Sequence, residues 1–319
     1  MAEELFDLLI IGGGPAGLSA SIYASRHKMR HLVFEGSAPG GQIAWASHKV
    51  ENYPGIASMT GPELGNALVE HAKGLGMEMK METVNDIKRS EKGFCVRTDQ
   101  GSYDSKTVIV ATGATHRKLG VPGEDGFLGK GVSYCATCDA PFFKDKPVAM
   151  VGGGDAALTQ AIYLADVCSE VHLVHRRDEF RADAANIEKV TSNPKIKIHY
   201  SSVLKEIKGS KFVDSIVLES TKEGKAREEV KVDGVFIYVG NVPASALAKQ
   251  AGAEVDEKGF IKVDWKMRTN VPGLYAAGDI TGHTLQMVVA CSEGAIAAMD
   301  AYVYMKKLEG KDIKVAVNR

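Results

Sequence analysis

Net charge is almost absent from this chain: across 319 residues, 39 Lys and Arg face 40 Asp and Glu, leaving a formal charge of −1. So balanced a chain has no bulk attraction for nucleic acid or for an anionic membrane surface, and neither partner is expected. Long apolar runs are missing too. No stretch reaches the roughly eighteen residues that a membrane span needs. The acidic start, Met1-Ala2-Glu3-Glu4-Leu5, has no basic region and no cleavage site, so no secretory signal is expected. Cysteine is scarce: there are five, and Cys95, Cys168 and Cys291 stand alone. An odd, scattered set is not a secreted disulfide framework, and a cytoplasmic protein is expected. The three isolated thiols read as packed core residues.

What is present is ordinary globular composition, 45% apolar and 25% charged, in a chain long enough for about two domains. Asp7-Leu8-Leu9-Ile10-Ile11 is a near-continuous apolar run, the mark of a buried parallel strand. Glycines follow, then a helix pattern from about Pro15 to Arg26, then a second strand over His31–Phe34. The same events recur about 140 residues later. There Pro147–Val151 is the strand, Gly152-Gly153-Gly154 the turn, about Ala156 to Val167 the helix, and Glu170–Val174 the next strand. Two such beginnings imply two Rossmann-like, doubly wound α/β domains. The apolar strands Thr107–Ala111 and Gly273–Ala277 flank the middle region, so the second domain is expected as an insertion in the first. The crossovers fall near Thr115 and Ser245, giving residues 1–114 and 246–319 to one domain and 115–245 to the other. Lys222-Glu223-Gly224-Lys225 reads as a solvated hairpin turn, and Gly310 to Arg319 as a loosely held tail.

The first turn, Gly12-Gly13-Gly14-Pro15-Ala16-Gly17, fits G-x-G-x-x-G between a strand and a helix. Gly12 permits the tight turn, Gly14 lets a pyrophosphate approach, and Gly17 lets helix pack on strand. The helix N-terminus then faces the phosphates. Glu35, 23 residues after Gly12, stands where an acid binds ribose hydroxyls. This site suits a dinucleotide with a free 2′-hydroxyl, as in FAD or NAD.

The second turn, Gly152-Gly153-Gly154-Asp155-Ala156-Ala157, is a G-x-G-x-x-A variant. Here the acid is replaced by His175-Arg176-Arg177-Asp178-Glu179-Phe180-Arg181. Guanidinium groups bind a 2′-phosphate that a carboxylate would repel. Each charge-assisted bond contributes roughly 1.5–3 kcal/mol, so two or three decide NADP over NAD. One NAD-like and one NADP-like site in one chain suggest a flavin in the first and NADPH in the second.

Ser133-Tyr134-Cys135-Ala136-Thr137-Cys138-Asp139 contains the single close cysteine pair. A C-x-x-C pair can close a disulfide or supply half of a zinc site. Zinc needs two more ligands, and no second C-x-x-C or nearby H-x-x-x-H is present. The redox reading is therefore favoured. Asp139 could shuttle the proton that a thiolate requires, or cap the following turn.

The order Gly-Gly-Gly-Pro-Ala-Gly, Cys-Ala-Thr-Cys-Asp, Val-Gly-Gly-Gly-Asp, His-Arg-Arg-Asp-x-Phe-Arg and Ala-Ala-Gly-Asp closely resembles the low-molecular-weight thioredoxin reductases, from about Leu5 to Leu308. That resemblance implies transfer of electrons from NADPH through FAD to the Cys135–Cys138 disulfide, and then to thioredoxin or a thioredoxin-like dithiol protein. It also implies a homodimer. Cys138 would face the flavin, Cys135 would attack the partner's disulfide, and Asp139 would serve as acid and base. FAD contacts would include Gly12, Gly14, Pro15, Ala16, Gly17 and Glu35. They would continue through Gly40, Gly41 and Gln42, Asn52 in Glu51-Asn52-Tyr53-Pro54-Gly55, and Thr112-Gly113. Gly278 and Asp279 would hold the ribityl or pyrophosphate portion. Gln286, Met287 and Val288 would point N–H groups at the ring, where a positive helix end stabilises reduced flavin. NADPH would contact Gly154, Asp155, Ala156, His175, Arg176, Arg177 and Arg181.

On this reading the dithiol and NADPH belong to one inserted domain and must take turns at the flavin. A rotation about the crossovers would allow it, with Gly113, Gly240 and Pro243 as hinge candidates. Two departures from the family pattern stand out. Leu285 occupies a place where a basic residue often precedes the glutamine, and Ala140 one where glycine is common. Rival readings keep the electron path but change the protein substrate, or make the chain an oxygen-using dithiol oxidase. The intact arginine cluster speaks against the oxidase, and the dithiol against a ferredoxin–NADP reductase. A redox-sensing binding module would not need two dinucleotide sites.

Overall fold

In the computed structural model the described residues are 5–45, 49–50, 52–222 and 226–311. The acidic start through Glu4, Glu51, residues 223–225 of the expected hairpin turn and residues 312–319 of the expected loose C-terminus lie outside them. The chain begins with β1 (Phe6–Ile11), α1 (Pro15–Arg26), β2 (His31–Phe34), α2 (Gly61–Gly74) and β3 (Met79–Lys80), then β4 (Val84–Ser90), β5 (Gly93–Thr98) and β6 (Ser102–Val110). Next come β7 (Val132–Ser133), α3 (Ala136–Asp139), β8 (Pro147–Val151), α4 (Asp155–Val167), β9 (Glu170–Val174), α5 (Ala184–Ser192) and β10 (Ile196–His199). Strands β11 (Ser202–Gly209), β12 (Val213–Ser220), β13 (Arg227–Lys231) and β14 (Gly234–Ile237) follow. The chain closes with α6 (Ala246–Gln250), β15 (Leu274–Ala276) and α7 (Met287–Leu308). Two compact units result: Met1–Thr115 with Val242–Arg319, and His116–Asn241.

The first unit holds the sheet β3-β2-β1-β6-β5-β4. Its left part is parallel, with Leu9 opposite Leu32 and Ile10 opposite Ile109. β6 is long enough to do two jobs. Its first half pairs antiparallel with β5, and its last three residues pair parallel with β15. Side chains alternate across a strand, so β1 serves two cores. Leu8 and Ile10 pack with Leu18, Ala297 and Ala301 of α1 and α7. Leu9 and Ile11 pack on the opposite face with Ile87, Phe94 and Ala248.

The second unit repeats the device. Its sheet β7-β14-β8-β9-β10 is all parallel. Val148 and Met150 face α4 through Leu158, Ala161 and Leu164. Ala149 and Val151 face the antiparallel sheet β11-β12-β13 through Leu204, Ile207 and Ile216. The third layer is therefore β rather than α.

By length and composition α7, 22 residues long, is apolar enough to cross a membrane, which the sequence reading did not anticipate. Its packing is that of a core helix. Glu293 and Asp300 are buried on it and hydrogen-bonded within the protein. A Cβ on its Gly294 would lie 2.0 Å from the Ala16 carbonyl oxygen, so α1 and α7 touch backbone to backbone.

Candidate functional site

The first glycine turn is built by close backbone approach. Gly12 holds φ +111°, and an added Cβ would lie 2.3 Å from the Ala111 carbonyl oxygen. A Cβ on Gly17 would lie 1.9 Å from the Gly12 oxygen. Above Gly14, the N-cap of α1, a Cβ would meet only Gly41 Cα at 3.7 Å. No side chain fills that space. Pro15 occupies the first helical position, where its missing N–H costs nothing.

Several distant segments ring this helix start. Glu35 accepts from Gly13 N–H through Oε2 and from Ser37 N–H through Oε1, both at 2.7 Å. Each oxygen keeps a second lone pair for a ribose hydroxyl. Gly40 donates its N–H to Gly13 at 2.9 Å, and Gly41 presses on Gly14. Gly278 (φ +85°) would put a Cβ 2.9 Å from that of Ala16. Beside it Asp279 is pushed up to about 6, by burial first and then by the charge of Glu293. Gln42 donates through Nε2 to the Ala114 carbonyl, and the Thr112 hydroxyl donates to Ala244 at 2.9 Å. Asn52 donates to Oε1 of Gln286 at 3.3 Å, though 234 positions separate them. Gln286 is the N-cap of α7, so Met287 and Val288 form its first turn, and Val288 is exposed. The open cradle over Gly14, the acid at Glu35 and the encircling turns fit a dinucleotide such as FAD.

In the second unit, a Cβ on Gly152 would lie 2.5 Å from the Tyr238 carbonyl oxygen, and one on Gly153 would lie 2.0 Å from His175 Nδ1. His175 is buried, and its Nε2 meets the Glu179 carbonyl at 2.9 Å. It shapes the turn from beneath. Gly154, Asp155 and Ala156 are exposed, and a Cβ on Gly154 would meet nothing within 4 Å. The Arg181 N–H donates to Gly153 at 3.0 Å, so the basic segment is pinned beside the turn. Arg176 and Arg181 are exposed and Arg177 half-buried. Asp155 accepts from Asp183 N–H at 2.7 Å and from Asn186 at 3.2 Å, bracing the chain just beyond Arg181.

Cys135 and Cys138 are joined in a disulfide with their Cα atoms 5.3 Å apart. Cys135 precedes the short helix α3, and Asp139 ends it, buried. Tyr238 was not singled out by sequence, yet its hydroxyl accepts from Ala136 N–H at 2.8 Å. Burial raises the Tyr238 pKa, and the charge of Asp139 adds to the rise. Nothing in the apolar run Gly234–Gly240 signals a partner in the dithiol segment. Among the lone thiols, Cys168 is the core residue expected, fully buried and pushed up to about 11 by that burial. Cys95 and Cys291 are only partly buried. Tyr53 donates to Cys291 Sγ at 3.7 Å, beside the start of α1.

Comparison with known proteins agrees with this geometry. Residues 6–295 match the pyridine nucleotide-disulphide oxidoreductase family. Over 311 residues the chain is 44% identical to the thioredoxin reductase of Peptoclostridium acidaminophilum, covering 95% of this chain and 98% of that one. This chain belongs to the low-molecular-weight thioredoxin reductases. The thioredoxin reductase of Bacillus subtilis is 40% identical over 309 residues, with 96% of each chain covered. The crystal structure of the Streptococcus pyogenes thioredoxin reductase superposes with a TM-score of 0.89 at 39% identity, covering 96% of this chain and all of that one. The family's enzymes are NADPH-dependent disulfide reductases, and their cofactors are FAD and NADPH.

Proposed function

We propose that this chain carries two electrons from NADPH, by way of FAD, to the Cys135–Cys138 disulfide and on to the disulfide of thioredoxin or a thioredoxin-like protein. One observation carries the reading: the disulfide and the arginine-flanked glycine turn share one compact unit, while the acid-flanked turn belongs to the other. Residues 1–114 and 246–319 would hold FAD, and 115–245 would hold NADPH and the dithiol. Gly12, Gly14, Gly17 and Glu35 would cradle the FAD pyrophosphate and ribose, while Gly40–Gln42, Asn52, Thr112–Gly113, Gly278–Asp279 and Gln286–Val288 would complete that site. Gly154–Ala156 and His175–Arg181 form the NADPH site. The same reading makes the protein a cytoplasmic homodimer.

FAD, when bound, supplies a two-electron relay between a hydride donor and a disulfide. Two electrons break the Cys135–Cys138 bond, and a proton from Asp139 leaves one sulfur as thiol and the other as thiolate. The Cys135 thiolate attacks the partner's disulfide and forms a mixed disulfide. Cys138, losing its proton to Asp139, attacks the Cys135 sulfur. The Cys135–Cys138 bond re-forms and the partner departs with two thiolates, which become thiols by taking one proton from Asp139 and one from water, Asp139 being reprotonated from solvent.

The test uses flavin-loaded protein, NADPH and thioredoxin. NADPH should bleach the flavin in the parent, Cys135→Ser and Cys138→Ser forms, while only the parent reduces thioredoxin. Full turnover by either serine variant would remove the dithiol from the path.

A further inference from the structure

None of the steps above uses Glu293, on the second turn of α7. It is 5% exposed, and both of its oxygens are engaged. Oε2 accepts from the Gly278 N–H at 2.8 Å and lies 3.1 Å from the Thr281 hydroxyl oxygen. Oε1 lies 2.7 Å from Nδ1 of His283, whose half-exposed ring covers the carboxylate on the solvent side. Thr281 is also tied to the turn, since its N–H and hydroxyl both reach the Gly278 carbonyl at 2.9 Å.

An amide N–H held by a buried carboxylate locks its peptide plane, because releasing it would cost that carboxylate a charge-assisted hydrogen bond that water cannot readily replace. At Gly278 that plane sits in a glycine-only conformation, φ +85°, pressed against Ala16 at the head of α1. The next side chain is Asp279. We propose that Glu293 is a positioning residue for the flavin: it fixes the Gly278–Asp279 turn against α1, with His283 shielding it from water. The inference rests on the reading that this turn holds FAD. Glu293 is also the ionisable group that acts on Asp279, and His283 the one that faces Glu293.

Two variants separate geometry from charge. Glu293→Ala removes the acceptor, whereas Glu293→Gln keeps an acceptor for Gly278 N–H and removes the charge. FAD release is followed by flavin fluorescence on dilution across a pH series. Glu293→Ala should hold FAD about tenfold or more weakly, the loss of one charge-assisted bond. Glu293→Gln should restore binding to within about threefold at pH 8. It should also move the pH midpoint of release downward, since Asp279 loses its negative neighbour. Parent-like retention by Glu293→Ala overturns the inference, as does an unmoved midpoint in Glu293→Gln should the alanine form fail to fold. A parent chain that takes up no FAD overturns the flavin reading itself, a different and recognisable failure.

Discussion

The backbone N–H of Ala136 donates to the Tyr238 hydroxyl at 2.8 Å, tying the dithiol segment to the chain just past β14. Ala136 is fully buried, so water cannot replace that acceptor. Tyr238→Phe should therefore cost about 1–3 kcal/mol in urea unfolding. Thioredoxin reduction should slow while NADPH affinity stays unchanged. Parent-like stability would show that the bond is dispensable.

Gly153 faces a ring that has little room to retreat. A Cβ there would lie 2.0 Å from His175 Nδ1, and the other ring nitrogen is bonded to Glu179 at 2.9 Å. Gly153→Ala should distort the second turn, weakening NADPH binding while flavin content is unchanged. Equal NADPH affinity in Gly153→Ala and parent, measured by calorimetry, would refute the clash.

The exposed guanidinium groups of Arg176 and Arg181 are free to meet a 2′-phosphate. Replacing either by alanine should raise the NADPH dissociation constant about tenfold or more. Binding of NADH, which has no 2′-phosphate, should be almost unmoved. A parallel loss for both nucleotides would mean that these side chains support the loop instead.

Buried His172 and half-buried His199 form a pair, Nδ1 to Nε2 at 3.0 Å, with Glu170 2.7 Å from the far nitrogen of His172. Burial holds both imidazoles below their ordinary 6.5. As pH falls, the unfolded chain therefore binds protons first. The stability these residues contribute is whole above about 6.5 and lost as pH drops through the folded values. Urea melts between about pH 7 and 5 should show declining stability, with a shallower slope in His172→Gln/His199→Gln. An unchanged slope would assign the decline to other groups.

Both glycine turns were legible because their requirements are local. Gly12 and Gly17 stand where the chain passes within van der Waals range of itself, and no other residue fits. The strands His31–Phe34, Pro147–Val151 and Glu170–Val174 were readable for a similar reason, as short, mostly apolar segments buried on both faces. The sheet β11-β12-β13 was not. Its strands mix exposed and buried residues, and the partners that bury Ile207 and Ile216 lie in another part of the chain.

By itself the order of residues determined the two dinucleotide turns, the acid at Glu35 against the arginines after His175, and the close cysteine pair, since each is a short-range pattern. Only tertiary structure decided which distant groups serve them. It brought Tyr238 to Ala136, Gln286 to Asn52 and Glu293 to Gly278. A hydrogen bond needs its two atoms within about 3 Å but sets no limit on the chain between them. Such partners become visible only after the strands and helices have packed.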